Sequence, residues 1–458
     1  MISQPAASQP PAGQLSAGNS GVAPADLYGA LDAWVDAHFD DEVAFLAELV
    51  KVPTDTPPGN NAPHAERAAQ LLQALGFAVE KHAVPQEEVR AYGLQSITNL
   101  IVRRHYGEGP CVALNAHGDV VPPGEGWTVA PYGAEVRDGR LYGRAAAVSK
   151  SDFATYSFAV QALEAVAGAG SGCLGSGGAN PGHLRGSVEL HFTYDEEYGG
   201  EKGPGWLLSR GLTRPDYAIA ASFSYAVITA HNGCLQFEVT VNGRMAHAAI
   251  PESGVDALQA AVEILTALYA CNRRYQEVNS SVAGISHPHL NVGMINGGTN
   301  TNVVPGKVVF RIDRRCIPEE DPMAVEAEVR DVIAAAAQGL PDVSVDVRRI
   351  LLAHPLKPLP GNRPLVSALQ RHARDVFGEE IPAMGTPLYA DARLYGEAGV
   401  PTVMYGAGPR TVLESNAKRA DEHVQLDDLR RATKVIARTL LDLLGSRSDA
   451  TPGSAQSA

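Results

Sequence analysis

The sequence has no Cys-x-x-Cys pair, no long apolar run and too few positive charges to balance its acids. Its five cysteines (Cys111, Cys173, Cys234, Cys271 and Cys316) are scattered and odd in number. That argues against a disulfide framework or a thiolate zinc site, and the expected setting is the reducing cytoplasm. No stretch of about 18 apolar residues occurs, so no bilayer-spanning helix is expected. The first 25 residues contain no Lys or Arg and no apolar core, so a secretory or mitochondrial signal is not expected. Lys plus Arg number 37 against 51 Asp plus Glu, a formal charge of −14. The resulting field repels phosphate, so nucleic acid and anionic membrane are not expected partners, whereas a small-molecule substrate is. Internal repeats are absent. The chain is 45% hydrophobic and 19% charged over 458 residues, enough for more than one globular core.

Residues 1–25 and 446–458 are rich in small and polar residues and read as disordered tails. Apolar residues at helical spacing predict a helix over Asp32–Val50 and a second over Pro63–Leu75, stopped by Gly76. Strands are expected at Phe77–Val84, Asn99–His105, Val112–Ala116, Ser187–Tyr194 and Tyr217–Ala221. A long helix is expected at Ser151–Ala167 and a Gly/Ser loop over 168–183. Strands alternating with helices predict an α/β fold with a mainly parallel sheet covered by helices. From about Gly233 the texture changes to strand, helix, strand, strand, helix, strand, the order of an α+β sandwich. The expected arrangement is therefore discontinuous. A catalytic domain over 26–231 and 348–445 is interrupted by an inserted α+β domain over 232–347.

Three clusters carry potential chemistry. His117 and Asp119 lie at the end of an apolar strand, where α/β sheets place their sites, and a carboxylate there can fix an imidazole tautomer. Asp195, Glu196 and Glu197 follow the next buried strand. Three adjacent carboxylates repel one another unless a cation, protons or water compensate, so one ligand and one general base are expected among them. In the insert, polar loops carry His247 and the pair Asn300 and Asn302, candidates for oxyanion and amide contacts.

Seven motifs in order extend this pattern: AHGDVVPPGEGW at 116–127, PYGAEVRDGRLYGR at 131–144, YDEEYGG at 194–200, NGRMAHAAIP at 242–251, GGTNTNVVPG at 297–306, IDRRCIP at 312–318 and YGAGP at 405–409. With them the chain resembles the M20 family of metallopeptidases and amidohydrolases. The resemblance implies a catalytic α/β domain with an inserted lid or dimerisation domain, a homodimer, and hydrolysis of an amide bond in a small carboxylate-bearing substrate, such as an N-acyl amino acid or dipeptide. It implies a zinc centre with His117 and Glu197 among its ligands. Asp119 would orient His117 and Glu196 would act as base. His247 would stabilise the oxyanion, and Asn300, Asn302 and Arg315 would bind substrate.

The chain departs from the family's usual two-zinc donor set. Val148 stands at the bridging carboxylate, Ser222 at another acidic ligand and Lys418 at the last histidine. Stable zinc sites use three or four protein ligands, so His117 and Glu197 alone would hold an ion weakly. Asp152, His231 and His423 are the nearby residues that could replace lost ligands. Lys418 can instead act as a fixed cation beside Glu197 and the substrate. Two further readings stay open. One is a metal-free pseudoenzyme or ligand-binding protein. The other is an altered reaction using Lys418 or Lys150, the latter within the segment Ser149-Lys150-Ser151.

Overall fold

The computed structural model describes residues 25–167 and 184–445. The expected tails and the Gly/Ser loop lie almost wholly outside the described residues; only residue 25 of the first tail falls inside, at the start of a helix. Eight strands form one mixed sheet. Its order is Val79–Ala83, Thr98–His105, Ser187–Thr193, Cys111–His117, Tyr217–Ala220, Thr402–Met404, Val227–His231 and Ala383–Thr386. The central four, from Ser187–Thr193 to Thr402–Met404, run parallel, and antiparallel pairings flank them. Cys111–His117 is buried along nearly its whole length, as a strand covered on both faces must be.

The helix Lys150–Ala167 explains part of that burial. Most of its residues are buried all round, and Phe153 stacks on Phe192 of the sheet at 4.0 Å. The amphipathic helices Arg363–Phe377 and Leu426–Leu444 bury apolar faces against the same core. The single helix expected over Asp32–Val50 is two helices, Ala25–Ala37 and Phe39–Val50. The break is at His38, whose Nδ1 donates to the Trp34 carbonyl at 2.8 Å while its ring stacks on Trp34. Both helices keep apolar spacing across the break, so periodicity alone did not reveal it.

A separate antiparallel sheet has the order His289–Gly297, Lys307–Cys316, Gly233–Asn242 and Ser344–Ala353. Gly233–Asn242 alternates between fully and partly buried residues. Its inward side packs under the helices Ala257–Tyr275 and Pro322–Ala337. Asp256 and Asp321 cap these helices by accepting backbone N–H groups of their first turns. The edge strand His289–Gly297 is mostly exposed. The fold is thus α/β with a mostly parallel eight-stranded sheet and a separate antiparallel sheet, as the sequence texture predicts.

Candidate active site

Cys111–His117 and Ser187–Thr193 are parallel neighbours, and His117 is level with Thr193. The His117–Asp119 turn and the Asp195–Glu197 turn therefore leave the sheet side by side at its C-terminal edge. The second turn is tight. Gly200 has φ +74°, and a Cβ there would meet the Asp391 carboxylate at 2.1 Å. Only glycine suits both demands.

Asp119 is fully buried and accepts the backbone N–H groups of Glu196 (3.2 Å) and Glu197 (3.0 Å). The expectation that its carboxylate orients His117 needs correction. His117 Nδ1 is 2.9 Å from the backbone carbonyl of Asp119 and 3.6 Å from the nearer carboxylate oxygen. The carbonyl fixes the ring, while the carboxylate positions the two glutamates. This leaves His117 Nε2 facing Glu196 at 3.9 Å. Desolvation disfavours charge on His117, but Glu196 and Asp119 outweigh it and push the imidazolium up to about 10. Burial raises Glu196 above the usual carboxylate range, opposed by His117. A raised carboxylate is a stronger base near neutrality.

The three consecutive acids do not act together. Asp195 turns away and accepts the Lys202 N–H at 2.6 Å, and burial followed by Asp391 keeps its carboxyl well above its normal range. Glu196 lines the central cavity. Glu197 pairs through Oε2 with Lys418 Nζ at 2.7 Å, and its other oxygen is buried without a partner. Burial opposes charge on Lys418, yet Glu197 and Glu196 hold the amine protonated well above the ordinary lysine range.

The cavity has a volume of about 340 Å³. His117, Glu196, Lys418 and Arg315 line it, so four of the expected residues converge. Arg315 reaches it from the antiparallel sheet, tethered to Asp313 at 2.7 Å and lying over the Tyr389 ring. His247, Asn300 and Asn302 do not line it. All three are exposed: His247 lies in a two-stranded ribbon, where its Nδ1 accepts the Ala249 N–H at 3.0 Å, and Asn300 and Asn302 lie on the loop before the ribbon's other strand, where Asn300 Oδ1 accepts the Thr301 N–H at 2.8 Å. Sequence reasoning missed Tyr389 and Asp391, which also line the cavity. Asp391 is buried, and burial followed by Glu196 raises its carboxyl well above the usual carboxylate range. Their signal was a polar YAD run soon after the short strand Ala383–Thr386. The sequence reading also left out the apolar wall formed by Phe223, Leu388, Met404 and Val412.

The Ser149-Lys150-Ser151 segment is structural. Ser149 Oγ bonds to both backbone groups of His117 (2.9 and 3.0 Å), Lys150 Nζ donates to the Val52 carbonyl (2.9 Å) and Ser151 Oγ donates to the Ala147 carbonyl (3.3 Å). Burial lowers Lys150 to about 7, but it does not line the cavity.

The residues present do not fit the two-metal centre that the family resemblance implies. Among the described residues no group of three or more His, Cys, Asp or Glu side chains is placed to hold an ion. Val148 and Ser222 line the cavity at two lost ligand positions, and Lys418 already occupies Glu197. A divalent ion about 4 Å from that ammonium would meet roughly 8 kcal/mol of repulsion at an effective dielectric near 20. The three nearby substitutes do not line the cavity. Asp152 accepts the Ala407 N–H at 2.7 Å, His231 Nδ1 is 2.8 Å from the Asn232 carbonyl, and His423 Nδ1 is 2.9 Å from the Asp421 carbonyl. The expected ligand roles of His117 and Glu197 therefore lack the further donors that a stable site needs.

Residues 113–442, well over half of the chain, match the family described as Peptidase family M20/M25/M40. Acetylornithine deacetylase of Myxococcus xanthus is 28% identical over 412 residues, covering 88% of this chain and 98% of that protein. Among solved structures, the di-peptidase Dug1p from Saccharomyces cerevisiae superposes with a TM-score of 0.72 at 14% identity, covering 91% of this chain and 98% of that one. YXEP of Bacillus subtilis, described as a dinuclear metal binding peptidase from M20 family, superposes with a TM-score of 0.59 at 16% identity, covering 89% and 99%. The chain belongs to the M20/M25/M40 peptidase family, whose members hydrolyse amide bonds.

Proposed function

We propose that this M20-family chain hydrolyses an amide bond in a small carboxylate-bearing substrate such as an N-acyl amino acid or a dipeptide. One observation carries the reading: Glu196, a buried carboxylate raised toward neutrality, shares a cavity with Arg315, whose guanidinium suits a substrate carboxylate. Glu196 takes a proton from water, and His117 opposite it steadies the resulting charges. Asp119 holds the base in place through the backbone rather than by contact with substrate. The deacetylase activity named for the Myxococcus relative is of the same reaction class.

In this reading the catalytic domain spans 26–231 and 348–445, and the insert over 232–347 forms the lid. The protein works as a cytoplasmic homodimer joined through that insert. The free edge of His289–Gly297, with Met294 and Ile295 exposed, supports such pairing. His247, Asn300 and Asn302 on the exposed ribbon would then serve a site completed by the second copy. Among the described residues no helix is long and apolar enough to cross a membrane.

The test is turnover of a panel of N-acyl amino acids and dipeptides by the full-length chain and by Glu196→Gln. Turnover abolished by the substitution supports the reading. A second reading, a ligand-binding protein without catalysis, is favoured by the Lys418–Glu197 pair, which neutralises a former ligand. Saturable binding of panel members without turnover selects it.

A further inference from the structure

The mismatch between fold and donor set has a positive side, because the cation beside Glu197 is part of the chain. Lys418 is held by its backbone. Its φ is +62°, a left-handed conformation uncommon for a residue with a Cβ. Its N–H donates to Glu422 at 3.3 Å. Glu422 is itself buried and fixed by Arg144 at 2.5 Å and by the Ala147 N–H at 3.2 Å. From this anchor the side chain reaches back to Glu197, yet it is 56% exposed, so the ammonium has room for a ligand. Val148, Phe223, Met404 and Val412 line the same cavity. A donor already held in place costs no reorganisation when negative charge develops on a substrate oxygen.

We propose that Lys418 is a catalytic residue that donates Nζ–H to the scissile carbonyl oxygen, so that amide hydrolysis proceeds here without a metal ion, on substrates with an apolar group beside that carbonyl. The inference rests on the hydrolase reading above and deepens it. Glu196 removes a proton from water, and the water oxygen bonds to the carbonyl carbon. The carbonyl π pair moves onto oxygen, where the Lys418 ammonium stabilises it. On collapse the C–N bond breaks, the pair leaves with nitrogen, and Glu196 returns its proton to the amine. The products leave as a carboxylic acid and an amine, the acid's remaining proton then passing to the amine to give carboxylate and ammonium, and Lys418 keeps its protons throughout. The apolar group rests on Phe223 and Met404, and the distal carboxylate meets Arg315.

The experiment uses the full-length chain purified without chelator. Zinc, cobalt and manganese are measured by mass spectrometry, and steady-state kinetics are run with and without 1,10-phenanthroline. The expected results are less than about 0.1 metal ion per chain and rates unchanged within twofold. Lys418→Met should lose roughly 10²-fold or more in kcat with KM within about threefold. Lys418→Arg should recover part of that loss. Thermal melts establish that each variant is folded. The triple variant Val148→Asp, Ser222→Glu, Lys418→His restores the missing donors and should take up zinc that the wild-type chain does not. Stoichiometric metal with chelator-sensitive activity in the wild-type chain overturns the inference, as does full kcat in a folded Lys418→Met. Both leave the hydrolase reading standing. Absence of turnover by the wild-type chain across the panel overturns the two together.

Discussion

Two walls face each other across the cavity. On the strand-end wall Asp119 and Glu196 are buried, Asp119 met by the backbone N–H groups of Glu196 and Glu197, and Glu196 faced by His117. On the facing wall Val148, Ser222 and Lys418 stand where the resemblance places metal ligands, and Glu422 behind them is met by Arg144 and the Lys418 backbone. Both walls bury carboxylates, and both need positive charge or donors to do so. The first draws them from the strand-end turns. The second draws them from cationic side chains. A family fold can thus keep its base while the matching cation changes from an added ion to a residue of the chain.

Substitutions on either wall sharpen the contrast. The largest stability effect is expected for Arg144→Met, which leaves Glu422 buried without its cation. A loss of about 3–5 kcal/mol is expected by urea denaturation, with Arg144→Met/Glu422→Leu regaining much of it. Equal stability of single and double variants would show that the second wall does not depend on its cation. On the first wall, Glu196→Gln should lower kcat by roughly 10³-fold with the fold intact by circular dichroism, within the range for removal of a general base. A loss under tenfold would move the base elsewhere.

Glu42 supplies a reference outside both walls. It is fully buried, bonded by Thr433 Oγ at 2.6 Å, and burial pushes it up to about 8. A carboxyl raised on folding contributes stability that is fully present below its unfolded value near 4.5 and is lost as pH rises through about 8. Glu42→Gln does not titrate. Its stability relative to wild type should therefore climb between pH 4.5 and 8, by up to about 5 kcal/mol, and level off above. A flat difference in urea midpoints over that window would show that folding does not raise the Glu42 carboxyl. The smallest effect is expected for Arg315→Lys. Exchanging a planar fork for a point charge should raise KM about tenfold with little change in kcat. A change confined to kcat would place Arg315 at the reacting bond instead of the substrate's far end.

Much of this was legible in residue order. The strand runs near 99–105, 112–116 and 187–194 lie where the sheet has them, because alternation and apolar runs report local burial. His117, Asp119, Glu196 and Glu197 were readable as candidates because polar residues directly after buried strands fall at a sheet edge. The break at His38 was not, since the apolar spacing continues through it. The role of the Asp119 carboxylate was misread because a two-residue spacing gives proximity but not direction. Tyr389 and Asp391 follow a strand of four residues, too short to stand out.

The sequence by itself determined which side chains exist: an α/β pattern, a base after a buried strand, and a valine, a serine and a lysine at former donor positions. Only the tertiary structure decided what the lysine does. Lys418 and Glu197 are 221 residues apart, and their contact depends on a sheet order and loop closure that no local pattern encodes. Likewise His247, Asn300 and Asn302 carry suitable chemistry, but they are exposed on a separate two-stranded ribbon and its loop rather than among the residues lining the cavity. Composition fixes charge and periodicity fixes local burial, whereas the pairing of distant charges is set by packing.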